Sequence, residues 1–483
     1  MKKGKILIIL LLIVALLVGG YYAAKHFLSG EDDGSSESES ETIPVGAMQA
    51  DDITDILYVC GDEMIELEKD GETWRLNADR DFPVKQAYAD TMAMDAANLE
   101  AVRLVSESAE DFAQYGLDEP DTAYVFVLTD GTQVTYYIGN YNSFGSTYYM
   151  NVGGTDNIYL ISGDFLDDFA HGLQELADVE PMQTVPTEDI RDLTLTLDGE
   201  TTRVLYRADG LKTVYSDIFT WFSDEQTPLD PSAGQDLFGK AASFEETGCA
   251  DYKADEKDLA AYGLDDPVLT AEIGYTVSEE KETGETDDDG EPVTETVTHD
   301  ETMTLTVGSA SNDGSLYAKT DASDVVYLIN AEYLQTLRDF DRTSLRNMRM
   351  CAVMSTDVES MDVTVGGKTS TITIERTRSG ENEETAVYTM NGAEIPSEKF
   401  NDFYASIQSV SAEDLTDKQV SMEDAPIAVT FHTSRAGFET VELRLAEFDR
   451  NFYVSQLDES YGLLINKRDA EKIIRTFEAI GEK

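Results

Sequence analysis

The sequence predicts an α+β protein: an N-terminal transmembrane helix, then tandem copies of one module, each an antiparallel sheet of hairpins and meanders with packed helices. Three observations predict it. The phrase Tyr-Gly-Leu-Asp-acid-Pro occurs twice, at Tyr115–Pro120 and Tyr262–Pro267. An alternating strand, a polar turn, an apolar strand and a helix follow each copy in the same order, and do so once more near the C-terminus. Strands come in runs with helices interspersed, without the strict βαβ alternation of a doubly wound sheet.

The N-terminal element rests on charge and length. Lys2, Lys3 and Lys5 precede an uncharged run from Ile6 to Ala24. At about 1.5 Å per residue that run covers a bilayer core of about 30 Å. The basic residues lie before the run, so the positive-inside rule keeps residues 1–5 in the cytoplasm and sends the body out. Tyr21 and Tyr22 stand where cleavage by a signal peptidase needs small residues, and no Cys follows for lipid attachment. Residues 6–28 are therefore read as an uncleaved signal anchor. Residues 29–50, which include the acidic run Glu31–Glu41, read as a flexible linker.

The modules are expected at 51–182, 183–347 and 348–483. Each opens on hairpin-like runs: Met64–Asn77, Asp192–Gly210 and Ser370–Gly392. A helix is expected near Pro83, Pro231 or Pro396, since Pro suits a helix start. Ser108–Pro120 and Asp255–Pro267 then read as a short capped helix. Ser108 or Asp255 is the N-cap, with Asp111 or Asp258 at the third position. Gly116 or Gly263 turns left-handed to end the helix. Leu117 or Leu264 makes the hydrophobic contact of a Schellman stop, and Pro120 or Pro267 forbids continuation. Tyr115, Asp118, Tyr262 and Asp265 complete the phrase, which is a folding signal.

A worn third copy, Ser411–Leu415, matches Ser108–Phe112 but lacks the Gly. The downstream halves, Tyr148–Ser162, Leu316–Asn330 and Phe452–Asn466, share one pattern. Each leads into a helix carrying apolar positions at helical spacing: Phe165, Leu166 and Phe169; Tyr333, Leu334 and Leu337; Ile473, Ile474 and Phe477. Tyr159 and Tyr327 are 168 residues apart, while Pro120 and Pro267 are 147 apart. The excess of 21 falls within the acidic insertion segment 278–301, lying between two strands of the second copy.

Composition narrows the function classes. There are 96 acidic and 35 basic residues in a chain of 483, a net charge of −61. Such a surface repels nucleic-acid phosphates and anionic lipid headgroups. Cys60, Cys249 and Cys351 are widely spaced and odd in number, without zinc-ligand spacing, which excludes a disulfide scaffold; they read as small buried hydrophobes, with a single disulfide plus a leftover thiol as the alternative.

Five features approach a chemical motif. Glu285–Gly290 resembles the start of a calcium loop, but Thr296 holds the position that needs a bidentate Glu. It reads as a solvated hairpin tip, leaving weak divalent-cation binding by the acidic surface as the softer expectation. Val365–Ser370 ends like a phosphate loop, yet Asp362 replaces its leading Gly, so it reads as a turn. His26, His171, His299 and His432 lie far apart, with His171 read as a cap at a helix end. Tyr136, Tyr137, Tyr148, Tyr149 and Tyr159 alternate, so about half face inward as core and the others could form a binding face. Acid pairs such as Asp167/Asp168 leave a glycosidase open without supporting it. No cofactor motif and no catalytic motif stands out.

The succession Tyr115–Pro120, Tyr136–Gly139 and Tyr148–Ser162, repeated at Thr306–Asn330, resembles the domain of unknown function 4340 of bacterial membrane-anchored proteins. The resemblance implies an N-terminal anchor, an extracytoplasmic α+β body and an accessory role beside ABC-type transport components of a gliding-motility kind. It implies no catalytic residue. The expected function is an anchored binding or scaffold protein. The alternatives are a cell-wall hydrolase using a carboxylate pair and an envelope sensor, for which residues 1–5 are short.

Overall fold

A computed structural model describes residues 43–46, 48–286, 292–378 and 384–481. No helix among the described residues is long and apolar enough to cross a membrane. The expected anchor, with His26, lies outside them.

The first sheet is built from β1 (Ile53–Cys60), β2 (Glu63–Asp70), β3 (Thr73–Leu76), β4 (Arg103–Ser106), β5 (Thr122–Leu128), β6 (Gln133–Asn142), β7 (Thr147–Val152) and β8 (Ile158–Ser162). Their order across the sheet is β3-β2-β1-β5-β6-β7-β8-β4, antiparallel throughout. Helix α1 (Gln86–Ala97) packs on one face with Ala89, Met92, Ala93 and Ala96, a spacing of three and four that makes one buried stripe. Inward residues of the strands, among them Ile56, Tyr58, Leu67, Phe126 and Tyr136, alternate to meet it. Trp74 is buried and its indole donates to Asp90 Oδ1 of α1 at 2.9 Å. Tyr136 donates to the Ala96 carbonyl at 2.8 Å.

The second sheet repeats the order with β9 (Ile190–Leu197), β10 (Glu200–Tyr206), β11 (Trp221–Phe222), β12 (Glu246–Asp251), β13 (Leu269–Thr286), β14 (Pro292–Ala310), β15 (Leu316–Thr320) and β16 (Val326–Ile329), arranged β11-β10-β9-β13-β14-β15-β16-β12. Helices α2 (Pro231–Ala242) and α3 (Glu332–Arg338) accompany it, with Pro231 at the start of α2 and Asp230 capping the amides of Ser232 and Ala233. The third sheet contains β17 (Val358–Val365), β18 (Lys368–Arg378), β19 (Glu384–Met390), β20 (Ala393–Ile395), β21 (Asp414–Leu415), β22 (Ile427–Thr433), β23 (Thr440–Glu447), β24 (Phe452–Leu457) and β25 (Ser460–Asn466). The order is β20-β19-β18-β17-β22-β23-β24-β25-β21: the same path with one more strand at the hairpin edge. Helices α4 (Ser397–Gln408) and α5 (Lys467–Gly481) belong to it, Phe403 meeting Phe477 with ring centroids 5.3 Å apart.

By contacts the described chain forms two compact units. One comprises residues up to Met182 with Glu245–Asp266 and Gly308–Asn330. The other comprises Gln183–Phe244, Pro267–Val307 and the chain from Ala331.

The repeated phrase differs from expectation in one respect. Instead of a two-turn helix there is a single 3-10 turn, Ala113–Tyr115 or Leu259–Tyr262. The expected caps serve tighter loops: Asp111 accepts from the Ala113 amide, Asp255 from Lys257, and Asp258 from Asp255. The stop is as expected. Gly116 and Gly263 are left-handed, with φ of 71° and 69°. Leu117 N donates to Phe112 O at 3.0 Å and Leu264 N to Leu259 O at 2.9 Å, closing the Schellman turn, with both leucines buried.

Two further expectations are corrected. Ser411–Leu415 forms no helical turn. Without a Gly to turn left-handed, Asp414–Leu415 stays extended as edge strand β21, and Thr416 N donates to Gly462 O at 2.8 Å. The helix expected after the first meander is one turn, Asp164–Asp167, though it buries Phe165 and the following Phe169. The insertion lengthens β13 and β14 into a ribbon paired without slippage from Leu269↔Val307 to Glu282↔Thr294. Thr296 pairs with Glu280 in that ladder, whereas the predicted calcium-loop tip at 287–290 lies outside the described residues. Val365–Ser370 is a tight hairpin turn with Gly366 and Gly367 at positive φ.

The phrase has a second glycine beneath it. A Cβ on Gly139 of β6 would strike the Tyr115 carbonyl oxygen, and one on Gly308 of β14 the Tyr262 carbonyl oxygen. Gly139→Ala should therefore destabilise by about 1–3 kcal/mol, the usual range for overpacking. Gly239→Ala in α2, where a Cβ meets nothing within 4 Å, should stabilise by about 0.5–1 kcal/mol. Urea unfolding of the two variants checks the pair; equal effects would refute the clash.

Candidate functional site

Within the first unit, the start of α1, the segment Ala170–Pro181 and β12 line a cavity of about 640 Å³. Each part arrives there for a local reason. Lys85 is the residue before α1, and its amide donates to Leu176 O at 2.8 Å, which ties the helix start to the turn Leu173–Leu176. Gly248 lets β12 lie close under that turn, since a Cβ there would stand 3.1 Å from Gln174 O. Bulges at Glu246/Gly248 and Cys249/Asp251 bend the strand along the cavity.

One wall is an aromatic plate. Tyr88 and His171 stack with centroids 4.2 Å apart and planes 18° from parallel. His171 is held from both ends: its carbonyl accepts from Tyr58 OH at 2.8 Å, and Nδ1 lies 3.3 Å from Glu175 Oε2. That oxygen also accepts from the Gly172 amide at 3.3 Å. His171 thus stacks and pairs, correcting its reading as a cap at a helix end.

Lys85 Nζ lies 5.2 Å from the Tyr88 ring centroid and donates to the Glu175 carbonyl oxygen at 3.1 Å. Among the described residues it forms no ion pair. Asp178, Glu180 and Glu246 stand around the exposed rim, where Glu246 Oε2 accepts from the Met182 amide at 2.8 Å.

Cys249 is buried at the cavity edge. Burial pushes its thiol up to about 11, helped by the charges of Asp251 and Glu246 and opposed by Lys85. The thiol therefore stays protonated at neutral pH and is a weak nucleophile. All three cysteines are free. Cys351 is fully buried with its thiol pushed up to about 12, and Cys60 donates to the Ala170 carbonyl at 3.1 Å.

A carboxyl pair lies on the same unit. Burial, and then a hydrogen bond shared with Asp95 of α1, raises Asp168 to about 6, with the charges of Asp167 and Asp164 adding. No group of three or more His, Cys, Asp or Glu side chains able to hold a metal ion occurs among the described residues.

The residues singled out from sequence sit elsewhere. Gly116, Leu117, Gly263 and Leu264 build the turns described above, Asp118 and Asp265 are exposed, and Pro120 is buried while Pro267 is half-buried. Tyr115 and Tyr262 rest on meander rings, Tyr115 on Tyr149 at 5.0 Å and Tyr262 on Tyr317 at 4.8 Å. Of the five meander tyrosines, Tyr136 and Tyr159 are buried and the others half-buried. His299 pairs with Glu301 and His432 with Asp362, each at 3.0 Å. Lys85, Tyr88 and Glu246 had no sequence signal.

The raised Asp168 carboxyl fixes a pH dependence. The folded chain holds this proton more tightly than the unfolded one. Its stabilising contribution is complete below the ordinary carboxylate range and is lost as pH rises through about 6. Asp168→Asn should therefore raise the melting temperature at about pH 8 and leave it nearly unchanged at about pH 4. A variant that melts with the parent at both values would refute the raised Asp168 carboxyl.

A family model for a domain of unknown function (DUF4340) matches residues 74–267 and again 221–426. No curated protein and no solved structure matches the chain. The two matches begin 147 residues apart, the spacing that separates Pro120 from Pro267, and each begins on one of the two tryptophans, Trp74 and Trp221. With the model covering most of the chain in two overlapping passes, the protein belongs to the DUF4340 family.

Proposed function

We propose that this chain is a membrane-anchored extracytoplasmic binding and scaffold protein, with residues 6–28 as its anchor and transport components of the membrane as its partners. The observation that carries the reading is the threefold use of one sheet order, with the glycine pair of each recurring phrase spent on folding. Recurring modules supply several similar faces along one chain, which suits assembly around a partner. The polar groups of the cavity favour binding over reaction. Glu175 is occupied by His171 and Gly172, and Cys249 keeps its proton. The uncharged run Ile6–Ala24 and its preceding lysines support the anchor.

Crosslinking of the full chain in its native membrane, with mass spectrometry of the products, tests the reading. Transport subunits should be recovered, joined to lysines on the outer faces of the sheets. Recovery of the chain alone, or of wall material alone, would overturn the assignment of partners.

A further inference from the structure

We propose that the cavity between α1, Ala170–Pro181 and β12 binds a small zwitterion of the amino-acid or short-peptide class, its carboxylate on Lys85 and its ammonium at the rim carboxylates. The inference rests on the binding reading of this cavity; it depends on neither the anchor nor the transport partners.

The first support is Lys85. It is the one lysine or arginine among the residues lining the cavity, where a neighbouring carboxylate would quench it. Lys85 instead donates to a backbone carbonyl and lies over the Tyr88 ring, so its ammonium keeps donor capacity for a ligand anion. The second support is the set of exposed acids that line the same cavity, Asp178, Glu180 and Glu246. A purely anionic ligand would meet these acids and the net charge of −61, while a purely cationic one would meet Lys85. A ligand with both charges satisfies each group and adds none overall.

Volume and wall chemistry fit the same class. About 640 Å³ lies in the range of small-molecule sites. The Tyr88–His171 plate offers a face for aliphatic carbons, held rigid by Tyr58 and Glu175. No bond is made or broken in the proposal, in keeping with a protonated thiol at Cys249.

The test is calorimetric titration of the full chain in detergent with tri-alanine, its C-terminal amide and its N-acetyl derivative. Tri-alanine should bind with a dissociation constant below about 1 mM, and either blocked peptide should bind at least about tenfold more weakly. Lys85→Gln should abolish the preference for the free carboxylate and retain that for the free amine. Glu180→Gln, at an exposed side chain, should weaken only the latter. Melting curves matching the parent's establish that both variants fold. Absence of tri-alanine binding at 5 mM, equal binding of acid and amide by the parent, or an unchanged preference in Lys85→Gln would each overturn the proposal. Because the readout is a purified chain and a peptide, its failure leaves the crosslinking result standing, and the converse holds.

Discussion

Each of the first two sheets depends on one left-handed residue meeting a second residue that has no side chain. At Gly116 and Gly263 the chain reverses through a Schellman turn, and the carbonyl before the turn lies directly over Gly139 or Gly308 of a meander strand. The turn brings the chain from the far edge strand back to the middle of the sheet, so that β5 or β13 can pair beside β1 or β9. A non-glycine residue at either point would have to hold a positive φ or push a strand away from a backbone oxygen. The path through the sheet is thus set by backbone geometry, and the side chains of the core complete it.

Much of this was legible because it is local. Period-two alternation in Ile190–Leu197 or Ile427–Thr433 announces half-buried strands, and the prolines at 83, 231 and 396 lie at or within three residues of a helix start. The end of the repeated phrase follows from its sequence and its beginning does not. Ser108, Asp111 and Asp255 are good caps in isolation, but the aspartates close tight loops of their own, so of the seven residues before each glycine only the last three or four wind, and they do so as a 3-10 turn. The third sheet shows the converse: with no glycine, the segment that resembles the first copy joins the sheet edge.

The cavity was not legible, for a physical reason. Its parts come from positions near 85, 175 and 248, and no periodicity or spacing rule links stretches so distant. Its most telling residue is defined by what it lacks: a lysine without a carboxylate partner among the described residues looks in sequence like any other lysine. The tryptophans illustrate a signal present but unused. Trp74 docks α1 through Asp90, while Trp221 lies over Gly234 of α2, so one large ring fixes the helix to the hairpin edge in both modules by different means.

The acidic insertion carries a separate consequence. It entered between two paired strands and is accommodated as ladder, with every cross-strand partner from Leu269 to Glu282 in one unbroken register. Length added in this way comes in opposed pairs, and a slip by one residue would turn every side chain of one strand over. The ribbon can therefore be shortened or extended by matched pairs without disturbing the sheet at its root. For an experimenter it is a graduated handle: a fluorophore or affinity sequence grafted near Glu282 and Thr294 stands at a distance set by the number of rungs retained, about 3.4 Å each.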